Sequence, residues 1–291
     1  MFTPAPSVAG TPDVILETSR RLVPDFESPM KFVLVLVTIL LGQSDSSAND
    51  EEGVAVDGIM PEIEAQTGEF ELTYTIEELL GEVSARQYEG IIPPDEAVEW
   101  EIFVPENYDP DHPAGMLIYI SPTQKGNIPP QWKSLLGEHN IIWIGANKSG
   151  NRVKVARRMA YALTAPAVIN KSYQIDNQRI YLSGFSGGGR VASMVAAEYP
   201  EIFKGGIFNC GAEYWGNEEP GRLDLIRTNR YVFITGTYDQ ALEPTKKAFR
   251  GFQSAGVEYS KLMVVRNMSH SNPKRRDFKR AIEYLDSFEA N

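Results

Sequence analysis

With one cysteine and three histidines among 291 residues, this chain has few side chains for disulfide, redox or imidazole chemistry. Cys210 alone can form neither an intrachain disulfide nor a cysteine metal cluster. It ends the apolar run Gly206–Cys210 and reads as a small buried hydrophobe in a strand rather than a reactive thiol. Any imidazole base must be His112, His139 or His270. Positive charge is short as well: 28 Lys and Arg stand against 39 Asp and Glu, a formal net charge of -11. No dense Lys/Arg stripe interleaves with aromatics, which argues against nucleic acid as a partner.

Long apolar runs are also missing. Phe32–Leu41, after Met30-Lys31, is too short to span a bilayer, so no stable membrane anchor is expected. Ser46-Ser47-Ala48 follows it with small residues suited to a cut after Ala48. Residues 30–48 therefore read as a secretory signal peptide with Lys31 as its basic region. No Cys follows the run, which excludes a bacterial lipoprotein anchor. Residues 1–29 carry Asp13, Glu17, Asp25 and Glu27 against Arg20 and Arg21, a poor leader, and read as an upstream extension with translation starting at Met30. The expected product is secreted or periplasmic.

What is present suffices for one large core: 42% apolar residues, with 4 Trp, 13 Tyr and 13 Phe. Residues 49–68 are acidic and read as a flexible lead-in, and 69–291 as a single domain without internal repeats. Strand-like runs fall at 70–75, 100–104, 116–120, 141–144, 180–183, 206–210, 231–235 and 262–265. Helix-like runs fall at 153–165, 188–198, 244–254 and 273–288. The first strands have no helix-like run between them and should pair antiparallel. The later alternation predicts a parallel sheet covered on both faces, an α/β fold. In such a sheet, sites lie outside the carboxyl ends of the strands.

At one such end stands Gly184-Phe185-Ser186-Gly187-Gly188, between a strand-like and a helix-like run. Glycines around a Ser at a strand-to-helix turn permit a sharp, strained backbone that lifts the hydroxyl clear of the sheet. Ser is a weak nucleophile and needs a neighbouring base. His270 follows the run Leu262–Val265 through a short loop, at the correct end. His112 and His139 each precede a strand and are expected on the surface. Asp239 follows Tyr231–Thr235 and a tight loop, where it could orient an imidazole. Asp224 precedes that strand and Asp277 lies inside the last helix, so neither fits. Two backbone N–H donors are expected to hold an oxyanion, from Gly187 and, in the loop Ser121–Gly126, from Thr123, since Pro122 has none. Tyr214, Trp215 and the stretch 147–151 also follow strands and either shape a pocket or pack in the core.

Gly187-Gly188-Gly189-Arg190-Val191-Ala192 also fits a dinucleotide fingerprint. It comes after the fifth strand rather than the first, and it leaves Ser186, Asp239 and His270 without a role.

The segments 104–110, 117–121, 184–188, 236–239 and 268–271 together resemble the exported polyhydroxybutyrate-depolymerase and feruloyl-esterase-like branch of the α/β-hydrolases, over roughly 100–288. The loop after the third strand departs from the family's His-Gly. The resemblance implies an α/β-hydrolase fold and a Ser-His-Asp hydrolase of carboxylic esters, small or polymeric, with no metal or organic cofactor. The family's triad maps onto Ser186, Asp239 and His270. A serine peptidase on the same fold and a catalytically silent binding protein stay open, and the sequence leaves the oligomeric state unknown.

Overall fold

The computed structural model describes residues 65–287. The segments read as an upstream extension (1–29) and a signal peptide (30–48), and most of the expected lead-in (49–68), lie outside the described residues. Among the described residues, no helix is long and apolar enough to cross a membrane.

Eight strands form one sheet: β1 (Gly68–Tyr74), β2 (Val98–Val104), β3 (Ala114–Ile120), β4 (Ile141–Ala146), β5 (Ile175–Phe185), β6 (Gly205–Asn209), β7 (Arg230–Gly236) and β8 (Ser260–Val265). Their spatial order is β1-β2-β4-β3-β5-β6-β7-β8. β1 pairs antiparallel with β2, and β2 antiparallel with β4. Every later pairing is parallel. β3 and β4 are buried along their whole length, as strands covered on both faces must be. The edge strand β1 alternates in exposure.

Side chains on a strand point alternately to the two faces, and the core divides accordingly. Met116, Ile118 and Ile120 of β3, with Ile142 and Ile144 of β4, join one apolar cluster. Leu117 and Tyr119, with Ile141 and Trp143, join the other. The first face is covered by α1 (Ile76–Ala85), α3 (Val155–Ile169), α4 (Gly187–Glu198), α5 (Leu223–Thr228) and α6 (Leu242–Ser254). The second is covered by α2 (Lys133–Glu138) and α7 (Arg275–Asp286). Trp132 anchors α7 by stacking on Phe278 at 3.8 Å and donating from Nε1 to the Pro273 carbonyl at 3.1 Å.

Two expectations need correction. A helix does lie between the first two strands. Thr75 and Glu78 form a reciprocal cap on α1, with Glu78 N–H donating to Thr75 Oγ1 at 3.1 Å and Thr75 N–H to Glu78 Oε2 at 2.7 Å. The helix breaks at Gly81, whose φ is 76°. His139, expected on the surface, is largely buried at the foot of the sheet. Its Nδ1 lies 3.2 Å from Asp286 Oδ2, where Arg179 (3.0 Å) and the Tyr181 hydroxyl (3.0 Å to Oδ1) also donate. His112 is exposed, beside Asp109.

Burial works against the Asp286 charge, but the hydrogen bonds from His139, Arg179 and Tyr181 outweigh it and hold this carboxyl below the usual carboxylate range. Its stabilisation is therefore complete above the ordinary value of 3.8 and fades as pH falls through the lower folded value. Asp286→Asn should cost about 2 kcal/mol at pH 7, because it leaves Arg179 half-buried and unpaired. Urea denaturation across pH should show wild type and variant converging in acid.

Candidate active site

The site begins where β5 turns into α4. Ser186 stands at that turn with φ 56° and ψ -121°, a backbone conformation that L-residues rarely adopt. Its N–H donates to the Asn209 carbonyl of β6 at 2.8 Å, which holds the strained residue in place. A Cβ on Gly188 would overlap the Ile120 carbonyl oxygen of β3, and one on Gly184 would overlap the Gly188 backbone. Only glycine at these positions lets the first turn of α4 sit against the sheet.

Two loops complete the constellation. Asp239, its side chain fully buried, lies beyond β7. Its Oδ2 accepts from Thr235 Oγ1 at 2.7 Å, and its Oδ1 from the Ala241 N–H at 2.9 Å. Burial opposes the Asp239 charge, yet the hydrogen bonds from Ala241, His270, Thr235 and Cys210 outweigh it and hold the carboxyl below its usual range. The loop after β8 is tied to this one. Tyr238 N–H donates to the Met268 carbonyl at 3.0 Å, and Asn267 N–H to Thr237 Oγ1 at 2.9 Å. His270 is thereby placed with Nδ1 2.7 Å from Asp239 Oδ1 and Nε2 2.9 Å from Ser186 Oγ. An ionised carboxylate can only accept, so Nδ1 carries the proton and Nε2 is free to accept from the Ser186 hydroxyl. The imidazole is flanked by the Phe185 ring at 5.0 Å.

All three residues singled out at strand ends thus meet at one place. The rejected candidates lie apart from them: Asp224 is exposed at the start of α5, and Asp277 sits in the first turn of α7 beside Arg276. Gly187 opens α4 immediately after Ser186. Thr123 lies in the loop after β3, and its N–H donates to Ser121 Oγ at 3.1 Å. Tyr214 and Trp215 pack on Phe252, with Trp215 at 4.7 Å, so they serve the core. Of the glycines that mimicked a dinucleotide fingerprint, Gly188 and Gly189 are pressed against protein backbone, on Ile120 and Gly211, and Gly187 against the Asn151 side chain.

Asn151, the end of the stretch 147–151 that the sequence placed either at a pocket or in the core, lies in the loop after β4, abuts Gly187 and donates its N–H to the Pro122 carbonyl at 3.0 Å. Two further neighbours were not legible as part of the site. Arg158 of α3 is buried and donates to the carbonyls of Ser121 (2.9 Å) and Gly187 (3.3 Å). Cys210 lies one residue past β6 at φ 52°, rather than within the strand. Its sulfur, an Asp239 oxygen and a His270 nitrogen lie within 4.8 Å of one another, near enough for one cation. Burial and the adjacent Asp239 push the thiol pKa up, and the Cys210 thiol donates to the Ser271 carbonyl at 3.4 Å.

No protein-family model and no curated protein sequence matches this chain. Among solved structures it is similar to a ferulic acid esterase, at 14% identity and a TM-score of 0.55, over 76% of this chain and 100% of the other. It is also similar to a serine-to-alanine mutant of the feruloyl esterase module from Clostridium thermocellum complexed with sinapinate (12% identity, TM-score 0.52, covering 75% and 87%). A third similarity is to dipeptidyl peptidase 4 of Porphyromonas gingivalis (14% identity, TM-score 0.50), over 66% of this chain but 34% of the peptidase, about a third of its length. At these identities the likeness is one of fold. The chain has the α/β-hydrolase fold.

The close approach at the elbow gives a direct test. Gly188→Ala should destabilise the domain by about 3 kcal/mol, since rigid backbone and not a flexible side chain opposes the new methyl. Gly90→Ala, with nothing within 4 Å of the added carbon, should stay within about 0.5 kcal/mol in the same urea titration.

Proposed function

We propose that this protein is a serine hydrolase that cleaves carboxylic esters through an acyl-enzyme intermediate. The observation that carries the reading is the hydrogen-bonded line from Asp239 Oδ1 through both His270 nitrogens to Ser186 Oγ, at 2.7 and 2.9 Å. A buried acid held in its charged form, an imidazole and a strained serine hydroxyl in this order form the relay that makes Ser a nucleophile.

In the first half-reaction His270 Nε2 takes the Ser186 proton as Oγ attacks the ester carbonyl carbon. Asp239 stays ionised and stabilises the resulting imidazolium. The tetrahedral oxyanion is met by the Gly187 N–H at the positive end of α4, with Thr123 N–H as second donor once it exchanges its bond to Ser121 Oγ. The imidazolium then protonates the departing alcohol. In the second half, water gives its proton to Nε2, its oxygen attacks the acyl carbon, and the proton returns to Ser186 as the acid leaves. The feruloyl esterases among the fold neighbours support esters as the substrate class.

A serine peptidase on the same fold is the second reading, favoured by the likeness to a dipeptidyl peptidase. Turnover of p-nitrophenyl esters against peptide anilides separates the two. Ser186→Ala and His270→Ala should each lower ester turnover by ~10⁵–10⁶-fold, and the double variant by little more, because the residues act as a unit. Asp239→Asn should lower it by up to ~10⁴-fold through the wrong imidazole tautomer, with fluorophosphonate labelling of Ser186 slowed rather than lost. Near-wild-type turnover in Ser186→Ala would end the hydrolase reading.

Export belongs to the same proposal. If residues 30–48 are a signal peptide, N-terminal sequencing of the protein recovered outside the cytoplasm should begin near Asn49. A mature chain retaining residues 1–29 would refute it.

A further inference from the structure

The loop after β4 is folded onto the loop after β3. Lys148 N–H donates to the Gln124 carbonyl at 2.7 Å, and Gly126 N–H to Asn147 Oδ1 at 3.0 Å. A Cβ on Gly150 would lie 2.9 Å from the Thr123 backbone, so the two loops meet there with no side chain between them. One residue on, Asn151 is pinned by its own N–H, which donates to the Pro122 carbonyl at 3.0 Å. These contacts set the Asn151 side chain against Gly187, the residue after Ser186. A Cβ on Gly187 would overlap Asn151 Oδ1 and lie 3.1 Å from its Nδ2. Glycine at 187 thus makes the room in which this carboxamide lies.

Cα–Cβ bonds of a helix tilt toward its N-terminus, the direction in which its first N–H groups also point. A group over the Cβ position of Gly187 is therefore on the side its N–H faces. In any residue the backbone nitrogen lies about 2.5 Å from the Cβ position. Asn151 Nδ2 and Gly187 N are then no more than about 5.6 Å apart. Two donors that share one oxygen at about 2.9 Å each can be up to about 5.8 Å apart, so a single oxygen can accept from both. Among the described residues the Asn151 carboxamide makes no hydrogen bond, and Asn151 is exposed, as Ser186 and Gly187 are in part. Thr123 N–H, by contrast, already donates to Ser121 Oγ at 3.1 Å.

We propose that Asn151 is a further catalytic residue, whose Nδ2 donates to the oxyanion beside the Gly187 N–H. As the substrate oxygen gains charge it meets a donor that gives up no other bond to serve it. Nδ2 keeps both its protons throughout, and His270 alone carries the proton between Ser186 and the departing alcohol. The inference rests on the serine-hydrolase reading and gives that site a side-chain donor from the loop after β4. Its effect belongs to the tetrahedral state rather than to the planar ester, so it should act on kcat and leave KM alone.

The test uses the full chain, with p-nitrophenyl butyrate as substrate and a fluorophosphonate as label for Ser186. Asn151→Ala should lower kcat and kcat/KM by the same ~10²-fold with KM unchanged. Labelling should slow as well, because the phosphoryl oxygen takes the place of the oxyanion. Asn151→Asp keeps the shape but its ionised carboxylate can only accept, so it should lose at least as much. The urea midpoint should stay at the wild-type value in Asn151→Ala, since an exposed, unbonded side chain is removed. The pH at which kcat/KM rises should not move either, since His270 keeps Asp239 and Ser186 as partners. A kcat within about threefold of wild type in Asn151→Ala, a rise in KM alone, or a shifted pH profile would each overturn the proposal. With Ser186→Ala inactive in the same assays, those results would leave the hydrolase reading standing. A wild-type chain that neither turns over the ester nor takes the label would end both.

Discussion

The first turn of α4 touches the end of β3 so closely that no side chain fits between them, and the rest of the site is arranged around that contact. Gly188 rests on the Ile120 carbonyl, Gly189 on Gly211, and Gly184 on the Gly188 backbone. The chain can make this approach only by turning through Ser186 at φ 56°. A strain of order 1–3 kcal/mol at that residue is sustained by the parallel sheet around it, which pairs on both sides of β5. Remove the contact and the helix would start later or farther out. The hydroxyl would then leave the reach of His270, which is set independently by β8.

That independence is itself physical. Ser186 is placed by the β5–α4 turn, whereas Asp239 and His270 belong to two loops stitched to each other by the Tyr238–Met268 and Asn267–Thr237 hydrogen bonds. Acid and base therefore move as one body. The nucleophile is referenced to the same sheet through β6, since Ser186 donates to Asn209 while Cys210 donates from its backbone N–H to Ile234 of β7 at 2.7 Å. Parallel strands thus act as rulers that bring three distant segments to common register at their carboxyl ends.

How much of this was legible follows from where the information lies. Glycines around Ser186, an Asp after β7 and a His after β8 are local signatures at strand ends, and each buried strand is an apolar run. Elements shorter than two helical turns leave no periodicity to read, so α2 and α5 passed unseen. α1 was missed despite its Thr75–Glu78 cap, because Gly81 interrupts its apolar spacing. His139 looked like a surface residue since its partner Asp286 is 147 positions away. Arg157 and Arg158 are adjacent and identical in type, yet one pairs with Glu96 and the other is buried with carbonyls. Only the rotation of α3 against the sheet distinguishes them.

Arg158 also bears on the electrostatics of the proposed chemistry. The chain carries a formal net charge of -11, and developing negative charge on an oxyanion would meet an unfavourable long-range field. Local sources must outweigh it. The N-terminus of α4 presents roughly half a positive charge at Gly187, and it is aimed by the same turn that exposes Ser186. The Arg158 guanidinium would add to that potential, and it donates to the Ser121 and Gly187 carbonyls at 2.9 and 3.3 Å. Those two bonds tie the loop after β3 to the turn at Ser186, so the guanidinium also fixes where the helix terminus points. In the proposed chemistry the α4 terminus at Gly187 would meet the transition-state charge as a fixed dipole, with no reorganisation at the moment of reaction.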